Sequence, residues 1–115
     1  MLKECIRLKA GGLVKFLDII EEKIKGKNLV FTRYYDISIA RKGIEHEKVM
    51  DIFPQFDKVY EIEKEMLKED IGFELFYRLS NNTYFSIATI PKDSRVLIIH
   101  AVEYKRDLRY RFKQK

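Results

Sequence analysis

The sequence predicts an α+β fold in which N-terminal helices pack on a mostly antiparallel four-stranded sheet. Three observations predict it. Apolar residues recur early at helical spacing (Leu13, Phe16, Leu17, Ile20, Ile24), the spacing changes to alternation from Val59 onward, and the later strands are joined by turns short enough to make neighbours antiparallel. The 115 residues suffice for a single domain with its own core. No repeat, linker or low-complexity segment divides residues 1–115.

Residues 2–10 read equally as a short helix or a strand, and Gly11-Gly12 breaks the run. Leu13–Lys25 reads as a helix with Glu21, Glu22, Lys23 and Lys25 on its polar side and Gly26 and Asn28 as its stop. Leu29–Thr32 reads as a short strand or extended segment. Residues 33–42 form a short helix with Ile37 and Ala40 inward, ended by Gly43. A second short helix, Glu45–Phe53, turns Val49, Ile52 and Phe53 to the core and stops at Pro54. Four strands follow: the alternating stretch around Val59, Tyr60 and Ile62, then 72–79, 83–90 and 95–104. Asn81-Asn82 and Lys92–Ser94 are the turns, because Asn tolerates positive φ.

A hydrophobic fraction of 46% excludes a disordered chain. No apolar run reaches the roughly 18 residues of a membrane span. Lys3, Glu4, Arg7 and Lys9 interrupt the start of the chain, against a signal peptide. Cys5 is the single cysteine, so no internal disulfide forms, a reducing cytoplasm is expected, and Cys5 reads as a small buried residue. The net charge of +5 is unevenly placed. Residues 45–70 carry nine acids against four bases. The tail, 105–115, carries six bases (Lys105, Arg106, Arg109, Arg111, Lys113, Lys115) against Asp107, with Tyr110 and Phe112 interleaved. Such a run suits RNA, because its charges neutralise phosphates and its rings stack on bases. It also reads as a solvated tail.

There is no Gly-rich phosphate loop, no G-x-S-x-G and no Cys/His metal spacing, so neither metal nor cofactor is expected. Glu61, Glu63 and Glu65 share one strand face, read as solvated. Strand alternation places His100 with Val96, Ile98 and Val102, as a hydrogen-bonded core histidine or a general base. His46 reads as an exposed residue at a helix start. Arg78 lies on the face opposite Tyr77, beside the basic end of the last strand. There it either meets a phosphate together with that end or pairs with Glu74 or Glu103. Arg33, Arg41 and Lys42 flank the 33–42 helix, as an extension of the basic surface or as ordinary exposed charges.

Two stretches resemble the RelE superfamily of small toxins. Residues 72–112 resemble its pattern of a strand with Tyr77-Arg78, a hairpin, an apolar strand and a Lys105-Arg106 ending with a tyrosine further on. The same ending is similar to that of BrnT-type toxins. Residues 29–53 resemble the opening of BrnT-related domains through Arg41-Lys42-Gly43-Ile44, Glu47 and Val49, with Tyr34 where such domains often have histidine. The resemblance implies a RelE-like fold and an mRNA endoribonuclease of a toxin-antitoxin system, acting on free or ribosome-associated RNA. Cleavage would be metal-independent, by 2′-OH attack, with an antitoxin as partner. A catalytic set of Arg78, His100, Lys105, Arg106 and Tyr110 would meet at one concave edge of the sheet. Arg33, Arg41, Lys42, Arg109, Arg111 and Lys113 would bind nucleic acid. Fixed cations near the phosphate stabilise its extra charge. The register that aligns Lys105-Arg106 puts Phe112, which cannot transfer a proton, at the tyrosine position, and Tyr110 substitutes only with a shift. The alternatives are a non-catalytic nucleic-acid-binding protein on the same fold, and an interaction protein or homodimer that pairs through an exposed sheet edge.

Overall fold

A computed structural model describes residues 4–8, as backbone, and residues 18–109. The strands are β1 (Glu4–Leu8), β2 (Asn28–Phe31), β3 (Val59–Met66), β4 (Ile71–Ser80), β5 (Thr83–Pro91) and β6 (Arg95–Tyr104). The helices α1 (Arg33–Lys42) and α2 (His46–Ile52) lie between β2 and β3, a π-helical turn spans Ile20–Ile24, and a 3-10 turn spans Phe56–Lys58. All strands join one sheet in the order β1-β3-β4-β5-β6-β2.

The meander from β3 to β6 forms as its short turns predict, with every pair antiparallel. The expectation of helices followed by four strands needs correction. Five strands lie between residues 28 and 104, and a sixth, β1, pairs antiparallel with β3 at one edge. At the other edge β2 pairs parallel with β6, so the helices follow two strands. β2 falls where a short strand or extended segment is expected and β1 where helix and strand read equally, but segments of four or five residues do not declare their partners, and the free sheet edges decide their pairing.

One face of the sheet is covered by helices. Ile62, Phe73, Leu75, Tyr77, Phe85, Ile87, Val96 and Ile98 from the strands meet Ile20, Ile24, Tyr35, Val49, Ile52 and Phe53 in a single buried cluster. Alternation supplies the strand side of this core, since residues two apart share a face. Ile20 and Ile24 are buried as their spacing predicts, and Gly26 ends the turn at φ 81°. Leu13, Phe16 and Leu17 lie outside the described residues. The Tyr77 hydroxyl donates to the Phe53 carbonyl at 2.7 Å, tying the end of α2 to the middle of the sheet.

α1 is well bounded. The Thr32 hydroxyl accepts from the Tyr35 amide, and Gly43 takes φ 67° so that its amide reaches the last carbonyls of the helix. Its phase differs from expectation. Tyr35 and Ser38 are buried, whereas Ile37 is 42% exposed and Ala40 is exposed. The reason is where α1 lies. β2 pairs with β6 only as far as Ile98, and α1 continues along that edge. Its inner side must supply donors for open strand carbonyls as well as apolar area. The Thr32 hydroxyl donates to the Ile98 carbonyl, and Lys42 Nζ donates to the Ala101 carbonyl and to Ser38 Oγ. His46, expected in solvent, is half-buried, with Nδ1 hydrogen-bonded to the Tyr35 hydroxyl at 2.9 Å.

Two register shifts settle which side chains face away from the helices. Ala88 pairs with His100 but Thr89 with Ile98, so Ile99 is an extra residue in β6. His100, Val102 and Tyr104 therefore lie on the face opposite Val96 and Ile98, which corrects the expected grouping. The second shift, between Val59 and Glu61, sets Glu61 opposite Phe76. Glu61, Glu63 and Glu65 do share a face, but Glu61 is only 1% exposed rather than solvated. Among the described residues no helix is long and apolar enough to cross a membrane.

Candidate nucleic-acid interface

The second face of the sheet carries a separate, smaller cluster. Phe76, Tyr84 and Leu108 are buried together, with Tyr60 and Tyr104 packed against them. Leu108 comes from beyond β6. After Tyr104 the chain turns back over this face, Lys105 and Arg106 remain exposed, and Leu108 seats at 1% exposure among the rings. An apolar side chain between charged neighbours gives the turn its direction, because burying a leucine contributes about 2 kcal/mol.

Asp107 is the polar node of this return. Its carboxylate accepts from Arg109 Nε at 2.9 and 3.1 Å, from Arg109 Nη2 at 2.6 Å, and from the Arg109 amide at 2.9 Å. The Tyr84 hydroxyl donates to it at 3.4 Å. The Arg109 side chain holds the carboxyl well below its usual range, at about 2, and the same contact raises the guanidinium. Burial pushes the Tyr84 phenol up, partly offset by Arg78 nearby.

Side chains on this face fall into rows across the strands. Arg78 opposes Tyr84, and Tyr84 opposes Tyr104. At about 4.8 Å per strand, Arg78 lies roughly 10 Å from Tyr104. Arg78 Nη2 donates to Asn81 Oδ1 at 2.6 Å, so its partner is neither Glu74 nor Glu103, and Glu103 accepts from Lys48. The Arg106 guanidinium stands 6.0 Å from the Tyr104 ring centroid, at the edge of cation–π range. Arg78, Lys105, Arg106 and Arg109 are thus gathered at one end of the sheet.

His100 is not at that end. It belongs to the row of Glu63, Glu74 and Ala88, four residues along β6 from Tyr104, or about 13 Å. Its ring stands edge-on to Tyr34 with centroids 6.5 Å apart. Arg33 and Arg41 are exposed on α1, while the Lys42 amine is engaged with the β6 edge. Tyr110, Arg111, Phe112, Lys113 and Lys115, and the side chain of Cys5, lie outside the described residues.

Sequence reasoning passed over three members of this region. Asp107 counted only as a lone acid in a basic run, though Asp two residues before Arg is a local pairing signal. Leu108 is the single aliphatic residue of the tail. Tyr84 could be placed only with the register. Among the described residues no group of three or more His, Cys, Asp or Glu is set to hold a metal ion. No family model, curated protein or solved structure matches the chain.

Proposed function

We propose that this protein binds single-stranded RNA at the end of the sheet where β6 finishes. Arg78, Lys105, Arg106 and Arg109 contact phosphates, and the Tyr104 ring offers a face to a base. The observation that carries the reading is the gathering of four cations at one sheet end around the carboxylate of Asp107, with Lys105 and Arg106 exposed. Cations on a fixed scaffold release counterions on contact with a phosphate chain, and a neighbouring ring adds sequence-tolerant stacking. The other surfaces suit RNA less well: the middle of the same face carries Glu61, Glu63 and Glu74.

The test is a salt titration of a labelled RNA oligonucleotide by fluorescence anisotropy. Lys105→Ala/Arg106→Ala should flatten the plot of log affinity against log salt by about 1.4, at about 0.7 per lost contact to a single strand. An unchanged slope would remove these residues from the interface.

A metal-independent endoribonuclease with an antitoxin covering the same cations is our second reading. The placing of Arg78, Lys105 and Arg106 at one end of the sheet favours it. It also needs a proton-transfer group there. His100 stands about 13 Å along β6, and the Tyr84 phenol is buried with a raised pKa. Labelled mRNA incubated in EDTA, with and without ribosomes, separates the two: cleavage that Arg106→Ala abolishes establishes the enzyme, and binding without cleavage establishes the simpler role.

A further inference from the structure

Resting on the RNA-binding reading, we infer that Asp107 is a positioning residue that holds Arg109 as a preset fork for one RNA phosphate. A guanidinium has five N–H donors in a plane. Asp107 takes the side edge, Nε and Nη2. The end edge, formed by Nη1 and the second Nη2 hydrogen, stays available for the two-oxygen contact that arginine makes with phosphate. The Arg109 side chain is 42% exposed, so that edge can be reached from solvent.

The fork is held from the sheet outward. Tyr84 is fully buried in β5, and its hydroxyl reaches the carboxylate. The Arg109 amide binds the same carboxylate oxygen, and Leu108, between the two residues, is seated among Phe76 and Tyr84. Each link removes a freedom that a lone surface arginine would lose only on binding. Asp107 would ordinarily be an electrostatic cost next to RNA. Its retention of a low pKa, with Arg109 as the main cause, fits a carboxylate whose work is directed at its neighbour.

A preset fork responds to charge removal at Asp107 with a sign opposite to simple charge counting. Asp107→Asn raises the positive charge of the tail by one, so an electrostatic surface without preset geometry would bind RNA more tightly. Loss of the fork should instead weaken binding by about tenfold, the value of one charge-assisted contact, and lower the salt slope by about 0.7. Arg109→Ala should weaken binding similarly, and Asp107→Asn/Arg109→Ala should be no weaker than Arg109→Ala alone, since both remove one device. All variants are compared at matched thermal stability, with Leu108 unchanged. Tighter or equal binding by Asp107→Asn overturns the inference and makes Asp107 a competitor of the phosphate or a bystander. Additive losses overturn it too. A wild-type protein without salt-dependent RNA binding overturns the RNA reading and this inference with it, so the two failures are told apart by the wild-type titration.

Discussion

The two faces of the sheet are closed by different means. The helix face buries a cluster of sixteen hydrophobic residues drawn from seven elements and the loops beside them, and its polar groups are matched inside the core, as where Tyr77 donates to Phe53. The opposite face buries a hydrophobic cluster of three, and its described cover is a five-residue return of chain held by one leucine and one carboxylate. A face closed by many interlocking side chains comes apart only with the whole molecule. A face closed by a short local return can loosen there while the sheet stays folded. That difference concentrates stability on one side of the molecule, and the binding proposed above falls on the other.

Four substitutions test the contrast between the two faces. Ile87→Ala on the helix face should lose about 2–5 kcal/mol, with every probe of urea unfolding moving together. Leu108→Ala should lose about 2 kcal/mol or less, since its pocket can collapse. Amide exchange should quicken over 105–109 while β4 and β5 keep their protection. A global loss as large as that of Ile87→Ala would end the distinction. The same substitution on both faces gives a finer contrast. Tyr77→Phe should lose about 1–2 kcal/mol, because the Phe53 carbonyl is left buried without its donor. Tyr84→Phe should stay within about 0.5 kcal/mol, because Asp107 keeps Arg109 and water.

The smallest effect is in the response to pH. The folded-state pKa of Asp107 is depressed, so its contact is present above the ordinary carboxylate range and is lost as pH falls through about 2. The Arg109 Nε–H resonance should therefore hold its position at pH 4 and move toward its free value near pH 2. Tyr35, pushed up to about 12 by burial first and then by Asp36 and Glu47, behaves oppositely. Its contribution is complete below about 10 and disappears as pH rises toward 12. Tyrosinate absorbance at alkaline pH should include a late component, shared with the buried Tyr77 and Tyr84, and the part due to Tyr35 should coincide with loosening of α1. An ordinary titration of all seven tyrosines near 10 would contradict the burial of Tyr35.

The β3–β6 meander was legible because alternation and short turns are local signals, and the packing of Val49, Ile52 and Phe53 was legible for the same reason. His100 was not. Strand parity assigns a side chain to a face only while the register is unbroken, and one extra residue at Ile99 reverses every assignment after it. The phase of α1 failed for a different reason. A helix laid along a strand edge answers to the open carbonyls beside it, so Ser38 and Lys42 turn inward and Ile37 turns out. In the candidate site the nearness of Arg78 to the Lys105-Arg106 end was already expected from the order of the strands, but the company of Tyr84 and Asp107 was not, because it arises through strand register and the return of the chain rather than through sequence proximity.

The arrangement of α1 against β6 also limits how copies of this chain can join. An open strand edge invites another strand to add and so to seed fibres. Beyond Ile98, side-chain donors from Thr32 and Lys42 already occupy the Ile98 and Ala101 carbonyls, and the helix stands where a new strand would lie. What β2 offers on this side is four residues long, too short a template for stable strand addition. Polymerisation through this margin of the sheet would have to strip α1 away first, at the cost of the Tyr35 core contacts, so the helix serves as a terminator of sheet growth.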